Sequence, residues 1–278
     1  MGREIVRQES PDEIVKRSRL WLYEDVRDVL GENEGTDNTK YIVVRANSDS
    51  EKICLNRRSF TNLKNLQILI INPGMLCGEG VDYLPNQLIV LDWMDCSLQS
   101  LPTSFNPRKL VMLHMSGLCT TPLAVGLKNM RCLKSIKLWK CHGLTRIPDF
   151  SGLTSLRDFN LSVCNDLVEV HASVGILHKL VNLKLYDCGK LQMFQERINL
   201  KSLETLTINH CPLKFFPEIE GEMKSLKYLN LDGTSIEELP CSVGYLTGLT
   251  CILVSEFLYL SYKSTMQHFL CIATSGGS

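Results

Sequence analysis

A leucine recurs every 22 to 24 residues through most of this chain, at Leu66, Leu88, Leu110, Leu133, Leu156, Leu180, Leu203, Leu226 and Leu249. Three and five residues after each comes another apolar side chain, as in Leu180-Leu183-Leu185 and Leu226-Leu229-Leu231. A unit this short cannot bury its own apolar face, so it must stack on its neighbours. The pattern predicts an α/β leucine-rich repeat solenoid, a parallel β-sheet horseshoe of about nine repeats over residues 57–262. A small mixed segment precedes it (1–56), and an irregular, disordered tail (263–278) is expected to follow. Such scaffolds bind other molecules; catalysis is not their usual work.

Within each repeat, the second and third ladder members lie two apart. That is strand spacing, with both side chains on one face. Residues between and beyond them should point the other way, onto the concave sheet. The fourth-position column then runs His114, Lys137, Asn160, Lys184, Thr207, Asn230, and the sixth runs Met94, Ser116, Trp139, Ser162, Tyr186, Asn209, Asp232. Trp139 and Tyr186, two rungs apart with Lys137 and Lys184 beside them, resemble binding hot spots, which favour aromatics amid polar residues. The candidate protein-binding set is Lys137, Trp139, Asn160, Lys184, Tyr186 and Asn209. Scattered surface aromatics also occur without function.

Of the twelve cysteines, five share one place, eight residues after the ladder leucine: Cys96, Cys141, Cys164, Cys188 and Cys211. A cysteine fixed within a repeat is a packing choice, because the thiol is small, buries well and donates weakly. The chain has no CxxC pair and no apparent secretory leader, so free thiols in a reducing compartment are expected. Cys141-His142 and His210-Cys211 do not make a metal site, since strand neighbours diverge and the pairs lie three rungs apart. No serine-histidine-acid set has recognisable spacing, and no glycine-rich phosphate loop occurs. Thirty basic and thirty acidic residues cancel, which gives no argument for nucleic acid or an anionic membrane. No apolar run reaches the roughly 18 residues that span a bilayer. The sequon Asn160-Leu161-Ser162 is set aside because Leu161 belongs to the ladder.

Outside the ladder, Ser10-Pro11 reads as a helix start. Tyr23 to Leu30 reads as a short amphipathic helix with Val26, Val29 and Leu30 on one side and Gly31 as its stop. Tyr41-Ile42-Val43-Val44 reads as a buried strand. Lys16, Arg17 and Arg19 read as a solvated face or as contacts to another module. The third rung is the least regular, with Leu118 where others carry cysteine. Beyond Leu249-Ile252-Val254 no polar cap is apparent. An apolar flank is therefore expected at the ninth rung, and the chain reads as truncated.

Several stretches resemble plant intracellular immune receptors of the TIR, nucleotide-binding, leucine-rich-repeat class. Met1 to Ser10, Lys16 to Trp21 and Asp25-Val26 are similar to the end of that family's winged-helix region. Gly35-Thr36-Asp37 is similar to the boundary before its repeats. Ser59 to Leu66, Tyr83-Leu84-Pro85-Asn86, Leu91-Asp92-Trp93 and Leu101-Pro102 resemble its first repeats, and Leu229 to Thr234 with Ile236 to Pro240 resembles a typical later one. The resemblance implies that 1–56 is a remnant of the winged-helix part of the nucleotide-binding module plus a linker. It implies an interaction scaffold for pathogen effector recognition and autoinhibition. The partners would be a pathogen effector or guarded host protein and the receptor's own nucleotide-binding module, with no nucleic acid and no membrane span. The setting would be cytoplasmic or nuclear. No cofactor is expected, ADP or ATP belonging to a nucleotide-binding module whose GxxxxGK[ST] loop this chain lacks. An alternative is a truncated product of a longer receptor whose TIR domain hydrolyses NAD; no catalytic, cofactor or metal residue of that family transfers to this sequence.

Overall fold

A computed structural model describes residues 13, 16–44, 52–72, 74, 76–78, 80–96, 98–118, 127 and 129–255, and the backbone of 271–275. The Met1–Ser10 stretch and the Ser10-Pro11 helix start lie outside these. The chain divides into an N-terminal unit, Met1–Leu133, and a C-terminal unit, Lys134–Ser278.

In the N-terminal unit, β1 (Arg19–Leu20), β2 (Tyr41–Val44), β4 (Ile68–Ile71), β6 (Val90–Trp93) and β7 (Met112–Ser116) pair in parallel, in that order. Two short strands, β3 (Ile53–Cys54) and β5 (Leu76–Cys77), pair on the return side. The helix α1, Tyr23–Gly31, buries Val26, Val29 and Leu30 as its apolar spacing predicts, and the chain leaves it one residue after the expected stop, at Glu32. The C-terminal unit stacks β8 (Ser135–Trp139), β10 (Asp158–Ser162), β12 (Asn182–Tyr186), β14 (Thr205–Asn209), β16 (Tyr228–Asn230), β17 (Cys251–Ser255) and β18 (Cys271–Ser275), again in parallel. On its return side β9 (Arg146–Ile147) pairs with β11 (Glu169–Val170), and β13 (Arg197–Ile198) with β15 (Glu218–Ile219). Two 3₁₀ turns, Ala172–Ile176 and Cys241–Tyr245, also lie between its strands.

The register follows the leucine arithmetic. Ile136, Phe159, Leu183, Leu206, Leu229 and Ile252 are successive partners across the C-terminal unit. All nine ladder leucines are buried, none more than 6% exposed. Each stabilises the stack by roughly 1.5–3 kcal/mol, so no rung needs strong local propensity to form. Leu118 takes the cysteine's place in the third rung and is likewise buried.

Three expectations change. First, the stack starts before residue 57. Ile42 pairs with Leu69 and Val44 with Ile71, so β2 is a rung of the same ladder. Thr39 then stands where a ladder leucine would, fully buried, with its hydroxyl donating to Arg17 C=O at 3.4 Å. One rung further back, Leu20 pairs with Ile42 and Arg17 takes the leucine position. Arg17 is therefore not on a solvated face. It is 8% exposed and bonds Asp25 of α1 at 2.7 Å. Second, the segment expected to be irregular contains β18, which pairs with β17 from Cys251↔Cys271 to Ser255↔Ser275 and so covers the flank of the ninth rung. Third, the cysteines are not all free. Cys54 and Cys77 oppose each other in register on β3 and β5, 4.6 Å apart at Cα, and are joined as a disulfide. Among the described residues no helix is long and apolar enough to cross a membrane.

Candidate protein-binding face

The corner after each strand sets where the outward side chains sit. The residue seven after the ladder leucine takes positive φ in rung after rung: Asp95 (53°), Gly117 (77°), Lys140 (50°), Val163 (57°), Asp187 (53°), His210 (52°) and Gly233 (65°). This left-handed step turns the chain out of the strand. It also aims the residue's N–H at the next rung, as in Lys140 to Ser162 C=O (2.9 Å), Val163 to Tyr186 C=O (2.8 Å) and Asp187 to Asn209 C=O (3.0 Å). The buried cysteine comes next. Cys141, Cys164, Cys188 and Cys211 direct their thiols to the carbonyl two residues back at 3.5 to 3.7 Å. That is the weak-donor role expected of the slot. The Cys211 thiol and burial hold the Cys188 thiol above its ordinary range, while hydrogen bonds from Cys141 and Cys188 hold the Cys164 and Cys211 thiols below theirs. Cys141 and Cys211 are buried while His142 and His210 are exposed, and among the described residues no group of ligands could hold a metal.

The six candidate residues fall into two aligned columns. Lys137, Asn160, Lys184, Thr207 and Asn230 are successive partners, as are Trp139, Ser162, Tyr186 and Asn209. Lys137 and Lys184 are exposed, and Asn160 and Asn209 are half-buried. The Asn160 amide oxygen accepts the Ser162 hydroxyl at 2.8 Å, while the buried Asn209 amide oxygen has no hydrogen-bond partner. Trp139 is half-buried with Lys140 Nζ 4.4 Å above its ring. Tyr186 is 43% exposed and meets the His210 ring edge-on at 5.7 Å. Both rings are thus held in place by corner residues. A shallow depression of about 570 Å³ brings together Asn160, Lys184, Tyr186 and Asn209 with Thr205, Thr207, Tyr228 and Asn230; Lys137 and Trp139 lie outside it. The sequence reading did not single out Thr205 and Tyr228. They sit two residues after their ladder leucines, a third outward position that the same alternation would have revealed.

One arrangement looks catalytic and is not. Ser173 Oγ lies 3.0 Å from His171 Nδ1, and Asp149 Oδ1 lies 3.9 Å from the same nitrogen. A catalytic set needs the imidazole to bridge acid and hydroxyl through its two nitrogens. Here Ser173 Oγ also accepts the Phe150 N–H at 2.7 Å, and His171 caps the turn through the Ser173 N–H. Ser242 repeats the device, accepting the Ile219 N–H at 3.0 Å. The serine staples one rung to the previous one.

A parallel sheet on a leucine ladder, with polar and aromatic columns turned outward, defines a leucine-rich repeat protein. The family described as "Disease resistance protein RPS4B-like, leucine-rich repeats" matches residues 199–274. The chain is 35% identical over 260 residues to disease resistance protein RPP2A of Arabidopsis thaliana, covering 91% of this chain and 19% of that protein. It is 35% identical over 258 residues to TMV resistance protein N of Nicotiana glutinosa, covering 91% of this chain and 22% of that protein. To disease resistance protein RPP5 of Arabidopsis thaliana it is 37% identical over 265 residues, covering 86% of this chain and 18% of that protein. The chain is a leucine-rich repeat chain similar over most of its length to plant disease resistance proteins, and it spans about a fifth of the length of these relatives.

Proposed function

We propose that the chain is the protein-recognition surface of an intracellular plant immune receptor. Its partners would be a pathogen effector or guarded host protein, bound on the strand face of the C-terminal unit, and the receptor's nucleotide-binding module, which the repeats hold inactive. The observation that carries this reading is the alignment of Trp139 and Tyr186 in one outward column, each ring braced by a neighbour, beside Lys137 and Lys184. Braced aromatics lose little freedom on binding, which favours affinity. Hydrogen-bonding groups on Asn160, Ser162 and Lys184 add specificity.

The test is the double substitution Trp139→Ala and Tyr186→Ala, with binding to a panel of secreted pathogen proteins measured by interferometry. Partners of the parent chain should lose at least about tenfold in affinity, the level of hot-spot residues. Unchanged affinity with an intact circular dichroism spectrum would sink the assignment.

A further inference from the structure

The return side of the C-terminal unit carries a groove that recognition through the strand face does not use. Outer strands β9 and β11 pair with each other, as do β13 and β15, but among the described residues no pairing joins β11 to β13. The repeat at this seam, 24 residues from Leu156 to Leu180, is the longest of the C-terminal unit, and it contains the 3₁₀ turn Ala172–Ile176. At this seam the 3₁₀ turn, not a strand, ties the two outer pairs together. Asn199 N–H donates to Gly175 C=O at 2.8 Å, and Gln195 Nε2 donates to Val170 C=O at 2.7 Å. A Cβ on Gly175 would come within 3.1 Å of the Arg197 carbonyl oxygen, so the turn already sits hard against β13. The resulting groove has a volume of about 1190 Å³.

Its chemistry is uneven in a specific way. Val168, Ile176 and Met193 come from three separate segments and are 51%, 55% and 65% exposed. Large apolar side chains gathered at one opening mark an interaction site more often than scattered ones do. Around them stand four carboxylates, Asp149, Glu169, Glu196 and Glu220, against two cations, Lys190 and Arg197. Both cations are already engaged, Lys190 with Asp166 at 2.6 Å and Arg197 with Glu220 at 3.0 Å; Arg146 faces Glu169 at 3.4 Å. The Ser151 backbone N–H holds the Asp149 carboxyl below the usual carboxylate range, so it stays ionised. The rim is negative at neutral pH.

The geometry points to this groove as a docking site for an amphipathic protein segment whose apolar side chains enter between Val168, Ile176 and Met193 and whose flanking lysines or arginines meet the acidic rim. Opposite charge steers such a segment in, and the apolar floor retains it. The site shares no residue with the columns of Trp139 and Tyr186, so the two surfaces succeed or fail separately.

The experiment titrates the 278-residue chain into a fluorescent synthetic peptide with a leucine face and flanking lysines, beside a version with glutamates for lysines. By anisotropy, the lysine peptide should bind at least about tenfold tighter, and its affinity should fall as salt rises. Met193→Ser with Ile176→Ser should weaken it about tenfold, and Glu196→Lys several-fold, while Trp139→Ala changes nothing. Circular dichroism confirms that each variant is folded. Equal binding of the two peptides, or binding indifferent to the serine pair, overturns the proposal. Self-association of the chain that the serine pair abolishes would assign the groove to a second copy and overturn it equally.

Discussion

Strands β2, β4, β6 and β7 of the N-terminal unit and β8, β10, β12 and β14 of the C-terminal unit turn the same repeat positions outward but fill them differently. In the N-terminal unit Val43, Ile68, Ile70, Val90 and Met112 occupy these places, all half-buried, joined by Asp92 with His114 at 3.6 Å. In the C-terminal unit the equivalents include Lys137, Asn160, Lys184 and Thr207. Inward positions hardly vary between the units, because burying a leucine is what holds each rung. Outward positions carry no such duty, so their chemistry reports use. A strand apolar on both faces is the pattern of a sheet covered on both sides, and a strand apolar on one face is that of a sheet facing water. The two units are one repeat adapted to two surroundings.

The ladder differs too. Among the described residues the C-terminal unit keeps leucine at 156, 180, 203, 226 and 249, whereas the first rungs of the N-terminal unit place Arg17 and Thr39 in leucine positions. This is where the comparison breaks most easily. Arg17→Ala would leave Asp25 as a buried charge without its partner, at a cost of about 3–5 kcal/mol. Arg17→Leu with Asp25→Leu restores the leucine pattern and should come within about 1 kcal/mol of the parent, or exceed it. Urea denaturation measures both. If Arg17→Ala proves as mild as an exposed substitution, Arg17 is not a ladder residue and the two units have different origins.

The corners offer a second, smaller contrast at one repeat position. Gly117 has φ +77°, and a Cβ there would lie 2.8 Å from the Cys96 carbonyl oxygen. Val163 occupies the equivalent corner of the C-terminal unit at φ 57° despite its branched side chain. A left-handed conformation costs an L-residue about 1–2 kcal/mol. Gly117→Val should therefore destabilise by at least about 2 kcal/mol, the carbonyl contact adding to that strain. Val163→Gly should stabilise by up to about 1 kcal/mol, since glycine removes the strain but adds unfolded-state freedom. Equal and opposite shifts in melting temperature would mean the corners are interchangeable, and a loss on Val163→Gly would show that its side chain contributes packing that outweighs the strain.

What could be read in advance follows from the same physics. The ladder, the cysteine slot and the outward columns repeat, and repetition is visible in one sequence. Arg17 and Thr39 were invisible because a polar residue in a leucine's place erases the pattern it belongs to. The positive-φ corner left a trace only at Gly117 and Gly233; Asp95, Lys140, Val163, Asp187 and His210 gave no cue, since none favours that conformation as glycine does. The outer groove was hidden for another reason. Val168, Ile176 and Met193 belong to three segments, and only the interruption between β11 and β13 brings them to one opening. Among the candidate residues, the alternation placed all six outward, but nothing in it distinguished the four that share the depression from Lys137 and Trp139.

The smallest expected effect separates the units by how their rungs are stapled. The N-terminal unit uses amides: Asn56, Asn62 and Asn65 donate to Gly31, Asn33 and Asp37 carbonyls at 3.0, 3.2 and 2.9 Å. The C-terminal unit adds a carboxylate staple to its amide and serine ones. Asp166 accepts the Lys190 ammonium at 2.6 Å and the Gly143 N–H at 3.1 Å, tying three rungs together. The Lys190 hydrogen bond, then that of Gly143, holds the Asp166 carboxyl below its ordinary value of about 3.9. A carboxyl depressed in the fold contributes stability that is complete above the unfolded value and is lost as pH falls through the folded one. Stability measured below about pH 4 should therefore fall less steeply in Asp166→Asn than in the parent. Asn65→Ala should lower stability by the same amount at every pH, because an amide does not titrate there. Asp166 is exposed enough that 1 M salt should shrink its share of the acid slope while leaving the Asn65 effect intact. An acid slope unchanged in Asp166→Asn would mean that the carboxylate staple contributes no more than the amides opposite it in the repeat, and the contrast between the units would then rest on the ladder and the corners alone.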